Sequence, residues 1–354
     1  MREAANQPKG VVPMSKRRVT ILDVAYLAGV SYQTVSRVIN NNPNVSTATR
    51  QLVQEIITET GYRPSHIARS LVTARTATIG LVVPDISNPF FSAIARGAEQ
   101  MTSEHGYSIL LCNTGEDASR EIEVLNLLHE RYVDGVIVCG SRQKDAPLKK
   151  ALSQFRAAVL VNRRLKGGSI PTVLVDDALG GAMITQHLLQ LGHKAIGFVA
   201  GPKTSYSGRQ RLRGYKQAHA GADIEPRPGW VQHCLPTTAA GEEATNLLLN
   251  ANPELSALFC YNDLVALGAL RQCATLGHHV PTDIAVTGFD DIMLAGVVSP
   301  ALTTCHVPSV EIGSRAATML LDCIDDEIDR CDEIVIKPEL VIRDSTVVNE
   351  FANY

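Results

Sequence analysis

The stretch TILDVAYLAGVSYQTVSRVIN, Thr20 to Asn40, decides the fold of the N-terminal part of the chain. Thr20 precedes an apolar segment and Asp23 follows three positions later, which is the spacing of a capping box at a helix start. Gly29 then interrupts the pattern, and Ser31 supplies an N-cap for a second short helix. Two short helices joined by a glycine-containing turn indicate a helix-turn-helix.

A third helix is expected to begin after Ser46 and to run to about Thr60, which completes a small three-helix domain. In the second helix, apolar side chains are expected to face the first helix; these are Val35, Val38 and Ile39. Polar side chains spaced by three and four positions then share the opposite stripe. The stripe comprises Tyr32, Gln33, Ser36, Arg37 and Asn40.

A solvated helix face is the ordinary interpretation of such a stripe. Its chemistry also suits DNA, because glutamine can form two hydrogen bonds with adenine and arginine can do the same with guanine in the major groove. Gln33 and Tyr32 occupy the first turn, where a recognition helix meets base edges, and Arg37 lies one turn further on.

The charge of the chain is distributed unevenly. The first 78 residues contain ten Lys/Arg and four Asp/Glu, so they carry +6 within an overall charge of −3, and the rest carries −9. A basic N-terminal part on an acidic body is typical of a polyanion-binding module joined to a domain that binds something else.

The remainder alternates continuous apolar runs with helical segments of 12 to 18 residues. Such alternation favours parallel sheets covered on both faces, and eight runs favour two sheets. The first series is ATIGLVVP, YSILLCNT, DGVIVCGS and AAVLVNR, and the second is TVLVDD, KAIGFVAG, SALFCYND and IAVTGFDD. Between the two parts, Pro64 ends the third helix and HIARSL is too short for a stable isolated helix, which indicates a linker.

The segment from Thr20 to Leu71 resembles the DNA-binding domain and hinge of the LacI/GalR family of bacterial transcriptional repressors, and VSYQTVSRVIN nearly repeats the recognition segment of the member that gives the family its name. The resemblance implies base contacts from Tyr32, Gln33 and Arg37. It implies phosphate contacts from Thr34, Ser36, Asn40, Ser46 and Thr49. In the hinge it implies that Ala68 and Arg69 line the minor groove and that Leu71 is an apolar wedge that kinks the duplex; packing of Leu71 on the core is the alternative.

The resemblance also implies that the body has the fold of periplasmic sugar-binding proteins. Ligands of parallel α/β sheets bind beyond the carboxyl ends of the strands, where PDISNPFF, VNRR, YND and GFDD lie, and Arg211 opens the helix after KAIGFVAGP. Amide, carboxylate, guanidinium and aromatic groups together suit a polyol. The expected effector residues are Asn88, Phe90, Asn162, Arg211, Asn262 and Asp290, with Arg163 and Asp177 as further candidates. SNPFF departs from the family's name-giving member, so a different effector is possible.

The predicted fold class is therefore α/β: an all-α helix-turn-helix domain followed by a periplasmic-binding-protein-like core of two parallel-sheet lobes. The predicted boundaries are 1–18 for a flexible extension, 19–64 for the DNA-binding domain, 65–75 for the hinge, 76–345 for the core and 346–354 for the tail.

We expect a cytoplasmic repressor of carbohydrate-utilisation genes. It has no signal peptide or apolar run long enough to span a membrane. Its cysteines, Cys112, Cys139 and Cys260 among them, are read as buried thiols, with no metal and no cofactor. A C-terminal leucine-heptad segment is absent, so a homodimer is expected on a pseudo-palindromic operator, with effector as inducer or as corepressor.

Three alternatives follow from the fold. An enzyme is disfavoured because the chain lacks the common nucleotide-binding, zinc and nucleophile motifs. A transport-type binding protein would need a signal peptide. The third is a global or corepressor-dependent regulator whose core binds a purine, a sugar phosphate or a partner protein.

Overall fold

The structure is a computed structural model that describes residues 19–63, 75–168, 170–325 and 332–347. The chain divides into two units, Met1–Thr76 and Ala77–Tyr354. Each unit is described separately below.

The N-terminal unit contains the three predicted helices, namely α1 (Ile21–Ala28), α2 (Tyr32–Ile39) and α3 (Thr47–Thr60). Thr20 and Asp23 form the expected capping box at the start of α1, and Gly29 ends it with φ 61°. The Ser31 hydroxyl accepts a hydrogen bond from the backbone N–H of Thr34 at 3.1 Å and caps α2. The helix-turn-helix prediction is confirmed.

The described residues of the second unit contain all eight predicted strands and four more. In chain order its elements are β1 (Thr78–Val83), α4 (Pro89–Glu104), β2 (Ser108–Asn113), α5 (Ala118–Glu130), β3 (Gly135–Cys139), α6 (Asp145–Leu152), β4 (Ala158–Val161), β5 (Thr172–Val175), α7 (Asp177–Gln190), β6 (Ile196–Ala200), α8 (Tyr206–Gly221), β7 (Val231–His233), α9 (Thr238–Ala251), β8 (Ala257–Cys260), α10 (Asp263–Thr275), β9 (Ala285–Thr287), β10 (Thr304–His306), α11 (Ser309–Ile324), β11 (Glu333–Ile336) and β12 (Glu339–Val341).

Two parallel sheets form two lobes, as predicted. The first sheet has the order β11-β5-β4-β3-β1-β2, and the second has the order β7-β6-β8-β9. The fifth strand along the chain, β5, pairs with β4 in the first sheet, so the second lobe begins one strand later than the second series of apolar runs. A separate antiparallel pair joins β10 to β12.

Helices cover both faces of each sheet. Helices α4 and α11 pack on one face of the first sheet and α5 and α6 on the other, while α7 and α8 face α9 and α10 across the second sheet. This arrangement explains the continuous apolar strands, because both faces of a covered strand are buried.

The close approach of α7 to α8 requires glycine. A Cβ atom at Gly214 would lie 2.0 Å from the Ala178 carbonyl oxygen, and one at Gly181 would lie 2.4 Å from the Arg211 carbonyl oxygen. Both distances are far shorter than any real contact, so the two backbones touch directly. The contact fixes the position of Arg211 on α8.

Within the described residues the cysteines are free thiols, and their burial differs from place to place. Cys139 and Cys260 are buried as predicted, whereas Cys112 is only half-buried because it lies on the edge strand β2. Burial raises the pKa of the Cys139 thiol to about 12, so this thiol is unreactive at neutral pH. Within the described residues, no three or more His, Cys, Asp or Glu are grouped to hold a metal ion, and no helix is long and apolar enough to cross a bilayer.

Candidate DNA-binding and effector-binding sites

Helix α2 exposes the predicted polar stripe and buries its apolar side. Val35 is fully buried and Val38 is 2% exposed in a cluster with residues of α1 and α3. Tyr32, Gln33 and Arg37 are exposed. The apolar contacts therefore fix the orientation of the helix and leave these three side chains facing solvent.

The predicted phosphate contacts gather at the starts of helices. Ser46 caps α3 by accepting a hydrogen bond from the N–H of Thr49 at 3.3 Å, and the two hydroxyl oxygens are 2.9 Å apart. Thr34 lies beside the cap of α2, where its hydroxyl contacts the Ser31 hydroxyl at 3.0 Å. Helix N-termini attract anions through unpaired N–H groups and the helix dipole, so these positions suit phosphate.

Two further candidates, Ser36 and Asn40, form a weak pair, with 3.5 Å between the Asn40 amide nitrogen and the Ser36 hydroxyl. Asn40 is the exposed C-cap residue of α2. The hinge candidates Ala68, Arg69 and Leu71 lie outside the described residues.

A cleft in the second unit is lined from both lobes, at the carboxyl ends of strands. The free space between the lining side chains is narrow, about 20 Å³, which is room for roughly one water molecule. The six principal effector candidates all line it: Asn88, Phe90, Asn162, Arg211, Asn262 and Asp290.

Arg211 is the electrostatic centre of the cleft. It lies in the second turn of α8, one turn later than predicted. Its guanidinium donates to Asp177 Oδ1 at 2.8 Å, to the Tyr261 carbonyl at 2.5 Å and to Asp290 Oδ1 at 3.4 Å, and it stacks 3.6 Å from the centre of the Phe289 ring. Burial lowers the pKa of Arg211, but the two carboxylates outweigh burial and raise the pKa overall.

Asp290 responds in the opposite way to the same burial. Removal from water raises its pKa from an ordinary 3.8 to about 7, even though Arg211 favours the charged form. The backbone of Asp290 has a positive φ of 105°, and this residue lies in the loop that follows β9. The cleft therefore contains a carboxyl group that changes charge near neutral pH.

Three asparagines supply hydrogen-bond donors to the cleft. The side-chain oxygen of Asn88 accepts from the N–H of Phe90 at 3.0 Å, that of Asn162 from Val175 at 3.2 Å and that of Asn262 from Val265 at 3.0 Å. Within the described residues the three amide nitrogens have no hydrogen-bond partner. Their N–H groups are available to the hydroxyl groups of a ligand.

Two candidates do not line the cleft. Arg163 turns away after Asn162 and donates to Asp145 Oδ1 at 2.6 Å and to the Gln143 carbonyl at 2.9 Å. A neighbouring carboxylate thus holds this guanidinium, and the effector contact of Arg163 stays a prediction. Asp177 is buried and accepts a hydrogen bond from Arg211, which it positions, so its own ligand contact likewise stays a prediction.

Residues 76–344 match the family model of periplasmic binding proteins and the sugar binding domain of the LacI family, and residues 20–65 match the model of bacterial regulatory proteins of the lacI family. The chain belongs to the LacI family. It is a DNA-binding transcriptional regulator, as predicted, and membership of this family places it among regulators rather than enzymes.

Relatives of this LacI-family chain match almost its full length. It is 37% identical over 332 residues to the HTH-type transcriptional regulator RegA of Clostridium saccharobutylicum, covering 93% of this chain and 99% of RegA. The lac repressor dimer bound to operator and an anti-inducer matches with TM-score 0.84 and 26% identity, covering 94% of this chain and 100% of that one. The transcriptional regulator CelR in complex with cellobiose matches with TM-score 0.71 and 33% identity, covering 93% and 100%.

The cleft of this LacI-family regulator also contains polar groups that the sequence did not suggest. Glu116, Arg142, Ser207 and Tyr261 line it together with the expected residues. Glu116 follows β2, Arg142 follows β3 and Tyr261 directly precedes Asn262, so the rule that ligands bind beyond strand ends covers three of the four positions. Ser207 lies one helical turn before Arg211 on α8, a spacing of four that places both on one face.

Proposed function

We propose that this regulator is a ligand-controlled repressor of carbohydrate-utilisation genes, in which α2 reads the operator and the cleft binds a sugar-like effector. The supporting observation is the cleft itself, where six side chains that follow four strands or lie early in α8 bring amide donors, a guanidinium, a carboxyl group and an aromatic ring to one space. Neither a solvated loop nor a packed core requires this set of polar groups.

In this proposal Tyr32, Gln33 and Arg37 contact base edges, and the helix starts near Thr34 and Ser46 contact phosphates. Base contacts give sequence specificity, while phosphate contacts give affinity and register. The support is their exposure on a helix whose opposite side is buried. Of the remaining candidates, Ser36, Asn40 and Thr49 contribute to backbone contacts.

We place two copies of the chain on one pseudo-palindromic operator in the cytoplasm, because the recognition helix of a single copy spans only one half-site. The lac repressor that matches this chain is a dimer bound to operator. Effector binding changes the relation of the two lobes and thereby shifts the population of the DNA-binding state.

The effector is sugar-like because hydroxyl groups both donate and accept, which suits a cleft that offers amide donors beside the Asp290 and Glu116 carboxylates. The aromatic side chain of Phe90 lines the same space and provides an apolar surface for a sugar ring. The matching CelR structure holds cellobiose.

The DNA part of the proposal is tested with Gln33→Ala. Fluorescence anisotropy of the full chain compares a duplex with lactose-operator-type half-sites and a random duplex. We expect specific affinity to fall by about 1–3 kcal/mol while weak, salt-sensitive binding to random DNA is retained. Gln54→Ala, an exposed glutamine of α3, is the matched control and keeps full affinity. Equal loss on both duplexes would contradict a role in base recognition.

The effector part is tested by repeating the operator titration with a panel of sugars. A sugar that lowers operator affinity is an inducer, and one that raises it is a corepressor. If no sugar changes operator affinity, the proposed effector class is wrong, while the result for Gln33 stands independently.

A further inference from the structure

A second guanidinium, Arg142, faces the cleft in addition to Arg211. Its Nε donates to Glu116 Oε2 at 2.5 Å and its Nη2 donates to Glu116 Oε1 at 3.0 Å, while Nη1 donates to the Gly140 carbonyl at 2.9 Å. The arginine side chain is 5% exposed and the glutamate side chain 10% exposed. This is a buried, bidentate ion pair, the geometry in which arginine binds a carboxylate most strongly.

Arg142 is held in place from both lobes. Its backbone N–H donates to the buried Glu121 carboxylate at 3.0 Å within the first lobe. Burial lowers the pKa of Arg142, whereas Tyr261 of the second lobe raises it. Tyr261 lines the same cleft, and its hydroxyl lies 3.0 Å from the Ser205 hydroxyl. The Tyr261 ring packs closely against the Gly201 backbone, where a Cβ atom would lie only 2.5 Å from the ring.

Tyr261 lies between the guanidinium groups of Arg211 and Arg142. Its carbonyl accepts from Arg211 at one end, and its side chain interacts with Arg142 at the other. Each guanidinium is neutralised by carboxylates, Arg211 by Asp177 and Asp290 and Arg142 by Glu116. The cleft thus has charged groups at two points but no excess of positive charge.

We propose that Glu116 is a specificity-determining residue that makes the cleft accept uncharged sugars and reject their phosphates and acids. The inference rests on the sugar-like effector proposed above, and it specifies that this effector is uncharged. A phosphate placed beside Arg142 would face the Glu116 carboxylate as well, and displacing that carboxylate would leave a buried charge without a partner. A neutral hydroxyl group can accept a hydrogen bond from Arg142 while the ion pair remains intact.

The backbone of Glu116 is consistent with such a role. Glu116 has φ 64°, a left-handed backbone conformation that residues other than glycine rarely adopt. Its N–H donates a hydrogen bond to the Pro84 carbonyl at 3.2 Å. Such a backbone conformation lowers stability and persists only where surrounding contacts hold the residue in place. The side chain contributes the ion pair that neutralises Arg142.

The test is Glu116→Gln in the full chain, which keeps the shape of the side chain and removes its charge. Isothermal titration calorimetry measures binding of matched pairs: glucose with glucose 6-phosphate, and ribose with ribose 5-phosphate. Wild type is expected to bind an uncharged member at least tenfold more tightly than its phosphate. In Glu116→Gln that preference is expected to shrink at least tenfold, because Arg142 is then free to bind phosphate.

Two controls accompany this variant. Glu123→Gln, an exposed glutamate on α5, is expected to keep the wild-type preference. The double variant Glu116→Gln with Arg142→Gln removes both charges, so it is expected to lose the gain in phosphate binding that the single variant shows.

The outcomes separate the two proposals. Preference of wild type for a sugar phosphate, or an unchanged preference in Glu116→Gln, overturns the role of Glu116 and leaves a sugar-like effector in place. If no sugar and no sugar phosphate binds to wild type or to Glu116→Gln, the sugar-like effector is itself wrong.

Discussion

Asp290→Asn should remove a measurable part of the pH dependence of stability. The carboxyl has a pKa of about 7 in the folded protein, raised by burial, against an ordinary value of 3.8. A carboxyl with a raised pKa binds its proton more tightly in the folded state than in the unfolded chain. Between pH 4 and pH 7 the folded state therefore holds an extra proton, and stability falls as pH rises through this window.

The size of the effect follows from the two pKa values. Each unit of pKa difference corresponds to about 1.4 kcal/mol, and integration from pH 5 to pH 7 gives a loss of about 2 kcal/mol in the free energy of unfolding that is due to Asp290. Asparagine cannot titrate, so between pH 5 and pH 7 the free energy of unfolding of the variant should fall by about 2 kcal/mol less than that of wild type.

The assay is urea unfolding at pH 5, 6 and 7, followed by fluorescence of Trp230. This is the chain's one tryptophan, and it is buried in the lobe that also contains Asp290, so its signal reports on that lobe. Asp223→Asn is the control, because this exposed aspartate has φ 54°, a conformation that asparagine tolerates equally well. Equal pH slopes for Asp290→Asn and wild type would refute the reasoning.

Two further predictions concern the position of Arg211. Arg211→Ala should abolish effector binding in calorimetry and leave operator affinity intact, because Arg211 lines the cleft of the second unit; retained effector affinity would remove it from the site. Gly214→Ala should destabilise the chain by about 1–3 kcal/mol in the same urea assay and weaken effector binding, because its methyl group would overlap the Ala178 carbonyl and force α8 away from α7. Gly221→Ala, which has open space around it, is the control and should leave effector binding unchanged.

Most of the strands that the sequence predicted are buried along their whole length, as Ile196–Ala200 is, so continuous apolar sequence marks them. The edge strand β2 is the exception, because its Leu110 and Leu111 are apolar yet exposed. The strands it missed are short or half-exposed: Val231–His233 has three residues, and Glu333–Ile336 alternates between exposed and half-buried positions. The pairing of β11 with β5 depends on a chain segment more than 150 residues away, which no local pattern encodes.

The recognition helix was easier to predict than the cleft because its stripe is local. The 3.6-residue period of a helix fixes which side chains share a face with Arg37, so exposure follows from sequence spacing alone. In the cleft, strand ends predict which residues come close but not where their side chains point. Asn162 and Arg163 are neighbours, yet Asn162 lines the cleft and the buried Arg163 guanidinium pairs with the Asp145 carboxylate.

The difference between local spacing and tertiary contacts also explains why the candidate residues alone do not predict the charge of the effector. Arg211 alone suggests an anionic ligand, and only its contacts with Asp177 and Asp290 show that its charge is already neutralised. Arg142 repeats the arrangement with a glutamate 26 positions away in the chain. Guanidinium groups bind neutral and anionic ligands alike. Which of the two a guanidinium binds therefore depends on the carboxylates that pair with it, and tertiary structure determines those partners. Variation at Glu116 should therefore change effector class without changing the residues that bind the sugar ring.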